Sequence, residues 1–121
     1  MARLLFHNVC QYGHPKIVEM LIQKSTEFNI DLNTKDEEDG MTGFQIACKY
    51  GHSKVAEMLI HKSTEFNIDL NARDEDGKTA FHFACHYGRK NVVEMMVNNA
   101  DFLKIDLKAK DKFGKTGFHY V

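Results

Sequence analysis

Histidine and cysteine recur three residues apart along this chain, a spacing that suggests metal binding or nucleophilic chemistry. The side chains concerned are His7, His82 and His119 with Cys10, Cys48 and Cys85. Zinc needs its ligands within about 2.3 Å of one ion. These pairs fall on successive units of a repeat, and packed helices lie roughly 8–10 Å apart, so the pairs cannot converge on one ion. We therefore expect no metal site and assign the histidines to structural hydrogen bonds.

Covalent catalysis and cofactor binding lack their usual accompanying groups. No acidic or amide third member and no oxyanion loop accompanies any cysteine and histidine pair. The carboxylates at 36–39 and 74–76 are neighbours in turns, without an apolar wall to separate their acidities. The glycines stand singly and do not form a phosphate-cradling loop. We predict that the chain is not an enzyme, needs no cofactor and holds its three cysteines as buried thiols.

A repeated decapeptide reveals the elements that position these residues. KSTEFNIDLN occupies 24–33 and again 62–71, within a longer period in which Gly40, Gly77 and Gly114 follow at intervals of 37 residues. Self-similarity at such a period predicts a solenoid in which each unit covers its neighbour's apolar face. We place all 121 residues in one domain. Its repeats are 1–39, 40–76 and 77–113, with a truncated fourth at 114–121.

Local signals predict two helices in each unit. Thr42 and Thr79 occupy N-cap positions ahead of apolar stretches, and Gly51 and Gly88 supply the left-handed C-cap. The segment after each glycine carries an apolar stripe with charges between, and Pro15 falls in its first turn, where a missing N–H costs nothing.

The end of each unit predicts an extended segment and a turn. In FNIDLN, apolar and polar residues alternate, which suits extended backbone. We expect its apolar members to pack in three columns between repeats. The columns are Phe28, Phe66 and Leu103; Ile30, Ile68 and Ile105; and Leu32, Leu70 and Leu107.

The segment GKTAFHFACHYGRKNVVEMM with KAKD resembles the ankyrin repeat, usually written G-x-T-P-L-H-x-A-A-x-x-G-H-x-x-V-V-x-x-L-L. The resemblance covers nearly the whole chain. It implies an all-α repeat solenoid of stacked helix-turn-helix ankyrin repeats with connecting β-hairpin-like loops. The departures are Gly43, Ala80 and Gly117 at the proline position, Leu4 at a threonine position and Gln45 at a histidine position.

The resemblance also implies a role for the histidines. In the family, this histidine and the preceding threonine tie the hairpin to the first helix. Here the pairs are Thr79 with His82 and Thr116 with His119.

The repeat is longer than the family's usual period of about 33 residues. The extra residues lie in the decapeptide, so we predict roughly one added helical turn after the second helix. We interpret the decapeptide as an inter-repeat packing segment, and secondarily as a contact surface on the convex side.

Family resemblance implies a protein-binding scaffold that uses hairpin tips and the inner side of the first helices. The tip positions are Glu37, Glu38, Asp39 and Met41; Glu75, Asp76 and Lys78; and Lys112, Phe113 and Lys115. The first-helix positions are Gln11 and Tyr12, Lys49 and Tyr50, and His86 and Tyr87. The three tyrosines suit interface anchors. They equally suit residues that cover the groove between helices, and both interpretations stand.

Two alternatives remain open. Asn33 and Asn71 resemble the asparagine that oxygen-dependent asparaginyl hydroxylases modify in ankyrin proteins, and Lys108 replaces it in the third unit. The second alternative is that the chain is a section of a longer array, because both of its ends are apolar, at residues 4–6 and 118–121. Uncovered ends predict end-to-end self-association, continuation of the array or fraying.

Composition limits the partners and the compartment. No run approaches the roughly 20 apolar residues of a membrane span, and no signal peptide begins the chain, so we expect the cytoplasm or nucleus. The formal net charge is −1. The basic excess near the C-terminal end is too weak to predict nucleic-acid binding. A protein partner is the expected one.

Overall fold

A computed structural model of the chain describes residues 2–120, and the side chains of residues 5–120. The helices are α1 (Ala2–Tyr12), α2 (Pro15–Gln23), α3 (Gly43–Tyr50), α4 (Ser53–His61), α5 (Ser63–Phe66), α6 (Ala80–His86) and α7 (Lys90–Leu103), followed by a 3-10 helix (Gly117–Tyr120). The described residues form no strand. The prediction of an all-α repeat fold is therefore confirmed.

Most helix ends form where the local signals placed them, except that α6 has Tyr87 as its C-cap and the left-handed Gly88 follows one residue later. The Thr42 hydroxyl accepts a hydrogen bond from the Gln45 N–H, and the Gln45 side chain accepts one from the Thr42 N–H, so α3 begins with a capping box. Gly51 ends α3 in the left-handed region, with φ 77°. Pro15 lies in the first turn of α2, as predicted.

Two rows of helices build the stack. The first helices α1, α3 and α6 pack on one another, and the second helices α2, α4 and α7 form the other row. Phe6, Phe44 and Phe81, one on each first helix, are buried, each contributing about 1.5–3 kcal/mol. A Cβ on Gly43 would lie 2.7 Å from the Phe6 ring, so its absence permits close approach. The first-helix row packs more extensively than the second. Following the family resemblance, we call the side formed by the first helices and the hairpin tips the concave face.

The added turn is present in every repeat, which confirms its prediction. It is the separate helix α5 in the second repeat, whereas in the third it is the last turn of α7. In the first repeat the Phe28 N–H donates to the Lys24 carbonyl at 3.0 Å and closes an equivalent turn. Each turn ends at a residue with positive φ, namely Asn29, Asn67 or Lys104.

The prediction of an extended segment through FNIDLN is wrong. Asn67 has φ 58° and turns the chain, and the Ile68 N–H then bonds back to the Ser63 carbonyl at 2.9 Å. This is the hydrogen bond of a Schellman motif, which satisfies a carbonyl at the helix end. The chain therefore turns at Asn67 instead of continuing in extended conformation from Phe66.

The column predictions succeed except at the first phenylalanine. Ile30, Ile68 and Ile105 are buried, as are Leu32 and Leu70, while Leu107 is half-buried. Phe66 and Leu103 are half-buried, but Phe28 is 60% exposed. Phe66 lies beside the decapeptide of the preceding repeat, and the described chain has no such segment before Phe28. That difference explains its exposure.

The apolar ends only partly match expectation. Phe6 is buried, contrary to the expectation of an apolar open end, because Gly43 receives its ring. Leu5 and Phe118 are exposed. The side chain of Leu4 and all of Val121 lie outside the described residues. In the described part of the chain, no helix is both long enough and apolar enough to cross a membrane.

Candidate functional site

Aspartates hold the hairpin tips in a fixed shape. The Asp74 carboxylate accepts the N–H groups of Asp76 and Lys78, at 2.9 and 2.8 Å. Asp36 and Asp111 make the equivalent bonds in the neighbouring hairpins. Because short side-chain bonds replace free rotation in the turn, the tips present their charges from a rigid backbone.

Successive tips are also bonded to one another. The Glu75 N–H donates to the Asp39 carbonyl at 3.1 Å, and the Lys112 N–H donates to the Asp76 carbonyl at 2.8 Å. The Lys112 ammonium pairs with the Asp76 carboxylate. The hairpins thus form a continuous edge along the stack.

Histidine ties the first helix to two hairpins, as the family resemblance implied. His82 Nδ1 accepts the Thr79 N–H at 3.0 Å, which leaves its Nε2–H to donate to the Lys115 carbonyl at 2.8 Å. Gln45 does the same with an amide, since its nitrogen donates to the carbonyls of Ala72 and Lys78. The first helices and the tips are therefore one rigid unit.

Tyrosines mark the opposite ends of the first helices from the tips. Tyr12, Tyr50 and Tyr87 have 66%, 45% and 43% of their surface exposed. A cation accompanies two of them: the Lys49 ammonium is 5.7 Å from the Tyr50 ring centre, and the Arg89 guanidinium carbon is 5.6 Å from that of Tyr87. The eight-residue helix α3 is roughly 12 Å long, and this length separates the hairpin tips from the tyrosines.

The next repeat pins the tyrosine ends of α1 and α3. Arg89 donates two hydrogen bonds to the Lys49 carbonyl, the shorter at 2.7 Å, and His52 Nε2 donates to the Gln11 carbonyl. Both donors are N-cap residues of second helices. The sequence interpretation missed these contacts; the available signal was a long polar side chain after the left-handed glycine in each repeat.

A cluster of cations and aromatic rings lies at the C-terminal end of the concave face. The ammoniums of Lys78 and Lys115 are 5.1 and 5.7 Å from the Tyr120 ring centre, and the His86 ring is 5.5 Å from it. Phe83 lies beneath them with 8% exposure. The sequence interpretation overlooked Phe83 and Tyr120, although both occupy the variable position after the motif histidine.

One buried carboxylate organises this cluster. The Tyr120 hydroxyl donates to Asp111, and this bond raises the pKa of Tyr120 to about 12. Burial alone would raise the pKa of Asp111, but hydrogen bonds from Tyr120, Lys115 and Phe113 lower it below its ordinary value. Asp111 therefore stays ionised at neutral pH and holds the Tyr120 ring between the lysines.

Most of the predicted contact residues are accessible. The exposed ones are Tyr12, Glu37, Glu38, Asp39, Tyr50, Glu75, His86, Tyr87, Lys112, Phe113 and Lys115; the partly exposed ones are Gln11, Lys49, Asp76 and Lys78. The prediction of Met41 as a contact residue is corrected, because only 3% of its surface is exposed. It packs in the core while its carbonyl bonds His7, so it cannot contact a partner.

The asparagines proposed for modification bridge neighbouring repeats. The Asn71 amide donates to the Lys104 carbonyl at 2.9 Å, and its oxygen accepts the Asp106 N–H at 2.8 Å. Asn33 makes the equivalent pair of bonds with the second repeat. These hydrogen bonds give both asparagine side chains a structural role between repeats.

The histidines and cysteines considered above as possible metal ligands lie on successive repeats. Among the described residues, no three His, Cys, Asp or Glu side chains lie close enough to hold a metal ion. The three cysteines are buried and free. Burial raises the pKa of Cys10 to about 12 and that of Cys85 to about 11, so these thiols stay protonated at neutral pH.

Comparison with known sequences identifies the fold's family. The family model for ankyrin repeats matches residues 6–111, in three copies. A comparison with curated proteins finds no match. Ankyrin repeats are generally protein–protein interaction modules, typically without enzymatic activity. The chain belongs to the ankyrin repeat family.

Proposed function

We propose that this chain is a non-catalytic scaffold that binds a partner protein across its concave face, between the hairpin tips and the tyrosine column. The observation that carries the proposal is the half-exposed state of Tyr12, Tyr50 and Tyr87 at the ends of the first helices, two of which, α1 and α3, are pinned by the next repeat. A rigid aromatic ring with a hydroxyl loses little conformational entropy when a partner covers it.

The two ends of the concave face carry opposite charges. The first tip presents Glu37, Glu38 and Asp39, all exposed, whereas Lys78 of the second tip and Lys115 of the third tip lie around Tyr120. Complementary charges on a partner would favour one orientation over its reverse, mainly through the association rate.

Affinity capture tests the proposal. The wild-type chain is compared with a triple variant carrying Tyr12→Ala, Tyr50→Ala and Tyr87→Ala. A matched control carries Met20→Ala, Glu57→Ala and Val97→Ala, which removes exposed side chains from the second helices. A protein retained by the wild type and the control, and lost from the tyrosine variant, supports the concave face. Equal capture by all three folded chains contradicts it and leaves the tyrosines as groove-covering residues.

Hydroxylation of Asn33 or Asn71 and membership of a longer array stay predictions. Both amide groups are engaged between repeats, so a hydroxylase would have to open these contacts first. Intact-mass analysis of chain expressed with such an enzyme tests this; a mass without any one-oxygen increment counts against it.

A further inference from the structure

The added turns create two equivalent grooves on the outer side of the stack. The first groove, of about 540 Å³, lies between the decapeptides of repeats 1 and 2. The second groove, of about 270 Å³, lies between the decapeptide of repeat 2 and its counterpart in repeat 3. Both follow the C-terminal ends of the second helices, so they are separate from the tyrosine column.

The two grooves differ in charge. Asp31 and Glu65 line the first groove, and no cation lines it. Neither carboxylate is ion-paired within the described residues, whereas Glu27, the counterpart of Glu65, pairs with Lys24 at 3.5 Å. The second groove is lined by one carboxylate, Asp69, and one cation, Lys104, so its net charge is zero. Unpaired carboxylates in one concave site attract a cationic group.

An aromatic ring and two amides complete the first groove. Phe66 is half-buried and presents part of its surface to the groove. The side-chain amides of Asn29 and Asn67 also line it, and neither makes a hydrogen bond within the described residues. In the second groove Leu103 and Lys104 take the places of Phe66 and Asn67. Phe102 takes the place of Glu65, so this groove keeps an aromatic ring but lacks the second carboxylate and both amides.

We propose that the first groove binds an arginine side chain presented by a partner protein. A guanidinium is planar, stacks on aromatic rings and carries five N–H donors for carboxylate and amide oxygens. Asp31, Glu65 and Phe66 supply these partners together. The groove is open to solvent, so the side chain enters while its backbone stays outside. The site goes beyond the concave-face function and does not depend on it.

A titration followed by NMR tests the site directly. The isotope-labelled full chain is titrated with a blocked peptide, Gly-Gly-Arg-Gly-Gly, and with the analogue in which citrulline replaces arginine. Citrulline keeps the shape but not the charge. We expect saturable shifts at the amides of Thr26, Asp31 and Phe66, with a dissociation constant on the order of millimolar for so small a probe. The citrulline peptide should bind at least about threefold more weakly.

Matched variants locate the binding within the grooves. Asp31→Asn keeps the side-chain oxygen that accepts the Asn33 N–H and removes only charge, so affinity should fall about threefold. Asp69→Asn makes the same change in the second groove and should leave affinity unaltered. Phe66→Leu copies the natural residue at position 103 and should weaken binding about twofold.

The outcomes separate cleanly. Loss of affinity in Asp31→Asn and Phe66→Leu, with none in Asp69→Asn, supports the site. Equal affinity for the citrulline peptide, an equal effect of Asp31→Asn and Asp69→Asn, or shifts confined to the second groove or the concave face overturns it. Glu65→Gln serves as a further charge variant, because the Glu65 side chain makes no hydrogen bond in the described structure that folding could need.

Discussion

The side-chain amide of Asn33 donates a hydrogen bond to the Asn67 carbonyl of the next repeat, at 2.9 Å. Its oxygen accepts the Asp69 N–H at 2.7 Å. One side chain thus satisfies two backbone groups where the added turn ends, and Asn71 repeats the arrangement one unit later. The added turn therefore brings its own inter-repeat contact.

Removing that contact should destabilise the stack. Asn33→Ala loses both bonds, and we expect the free energy of unfolding to fall by about 1–2 kcal/mol. Asn33→Asp retains the acceptor and should lose about half as much. Denaturant unfolding followed by circular dichroism measures both. Thr26→Ala, an exposed change in the same segment, is the control and should cost less than about 0.5 kcal/mol. A loss no larger than the control's would show that the bridge is not stabilising.

His82 should tolerate glutamine but not alanine. His82→Ala leaves the buried Thr79 N–H and the Lys115 carbonyl without a partner, which we expect to cost about 2–4 kcal/mol. His82→Gln reproduces the pattern that Gln45 already makes and should cost less than about 1 kcal/mol. Thermal unfolding compares the two. Equal losses of stability would mean that packing of the His82 ring, rather than its hydrogen bonds, accounts for the stability that this residue contributes.

Two equivalent glycines separate backbone strain from crowding. Both have positive φ, 77° at Gly51 and 66° at Gly88. A Cβ at Gly51 would lie 2.9 Å from the Arg89 guanidinium, whereas one at Gly88 would meet nothing within 4 Å. We expect Gly88→Ala to cost about 1 kcal/mol and Gly51→Ala about 1 kcal/mol more.

A double-mutant cycle checks the cause of this difference. In an Arg89→Ala background the additional cost of Gly51→Ala should disappear, because the guanidinium that blocks the Cβ is gone. If the additional cost persists, the strain lies in the backbone of the first-helix end.

The raised pKa values of the buried cysteines predict that the protein loses stability at alkaline pH. The ordinary thiol pKa is 9.0, and burial raises it to about 12 at Cys10 and about 11 at Cys85. Cys48 shifts in the same direction, first by burial and then by its neighbour Cys10. The unfolded chain therefore releases these protons first as pH rises. This contribution to stability is complete below pH 9 and should be lost progressively as pH rises towards 12.

Thiol reactivity provides the corresponding measurement. At pH 8 the native chain should react with a disulfide reagent far more slowly than the denatured chain, since the thiolate is the reacting form. Unfolding curves at pH 8 and pH 10, with Cys85→Ala as a comparison, measure the pH effect. Rapid reaction of native protein would contradict the buried, protonated state.

Local and repeated features could be read from the sequence because they depend on neighbours a few residues away. The capping at Thr42, the left-handed Gly51 and the added turn follow from residue type and position. The tie at His82 followed from the resemblance to the ankyrin repeat. The prediction that Met41 contacts a partner failed because a tip position in the repeat pattern does not determine which way the side chain points.

What joins repeats to one another was decided by tertiary structure. The alternation in FNIDLN predicts an extended segment, but the left-handed turn at Asn67 and the bond from Ile68 to the Ser63 carbonyl replace it. Likewise, Arg89 reaches the Lys49 carbonyl only because stacking brings together segments that lie 40 residues apart. The sequence by itself determined the repeating unit, since its signals are local. The surfaces that could bind a partner depend on how successive units meet, and only the stacked structure sets that.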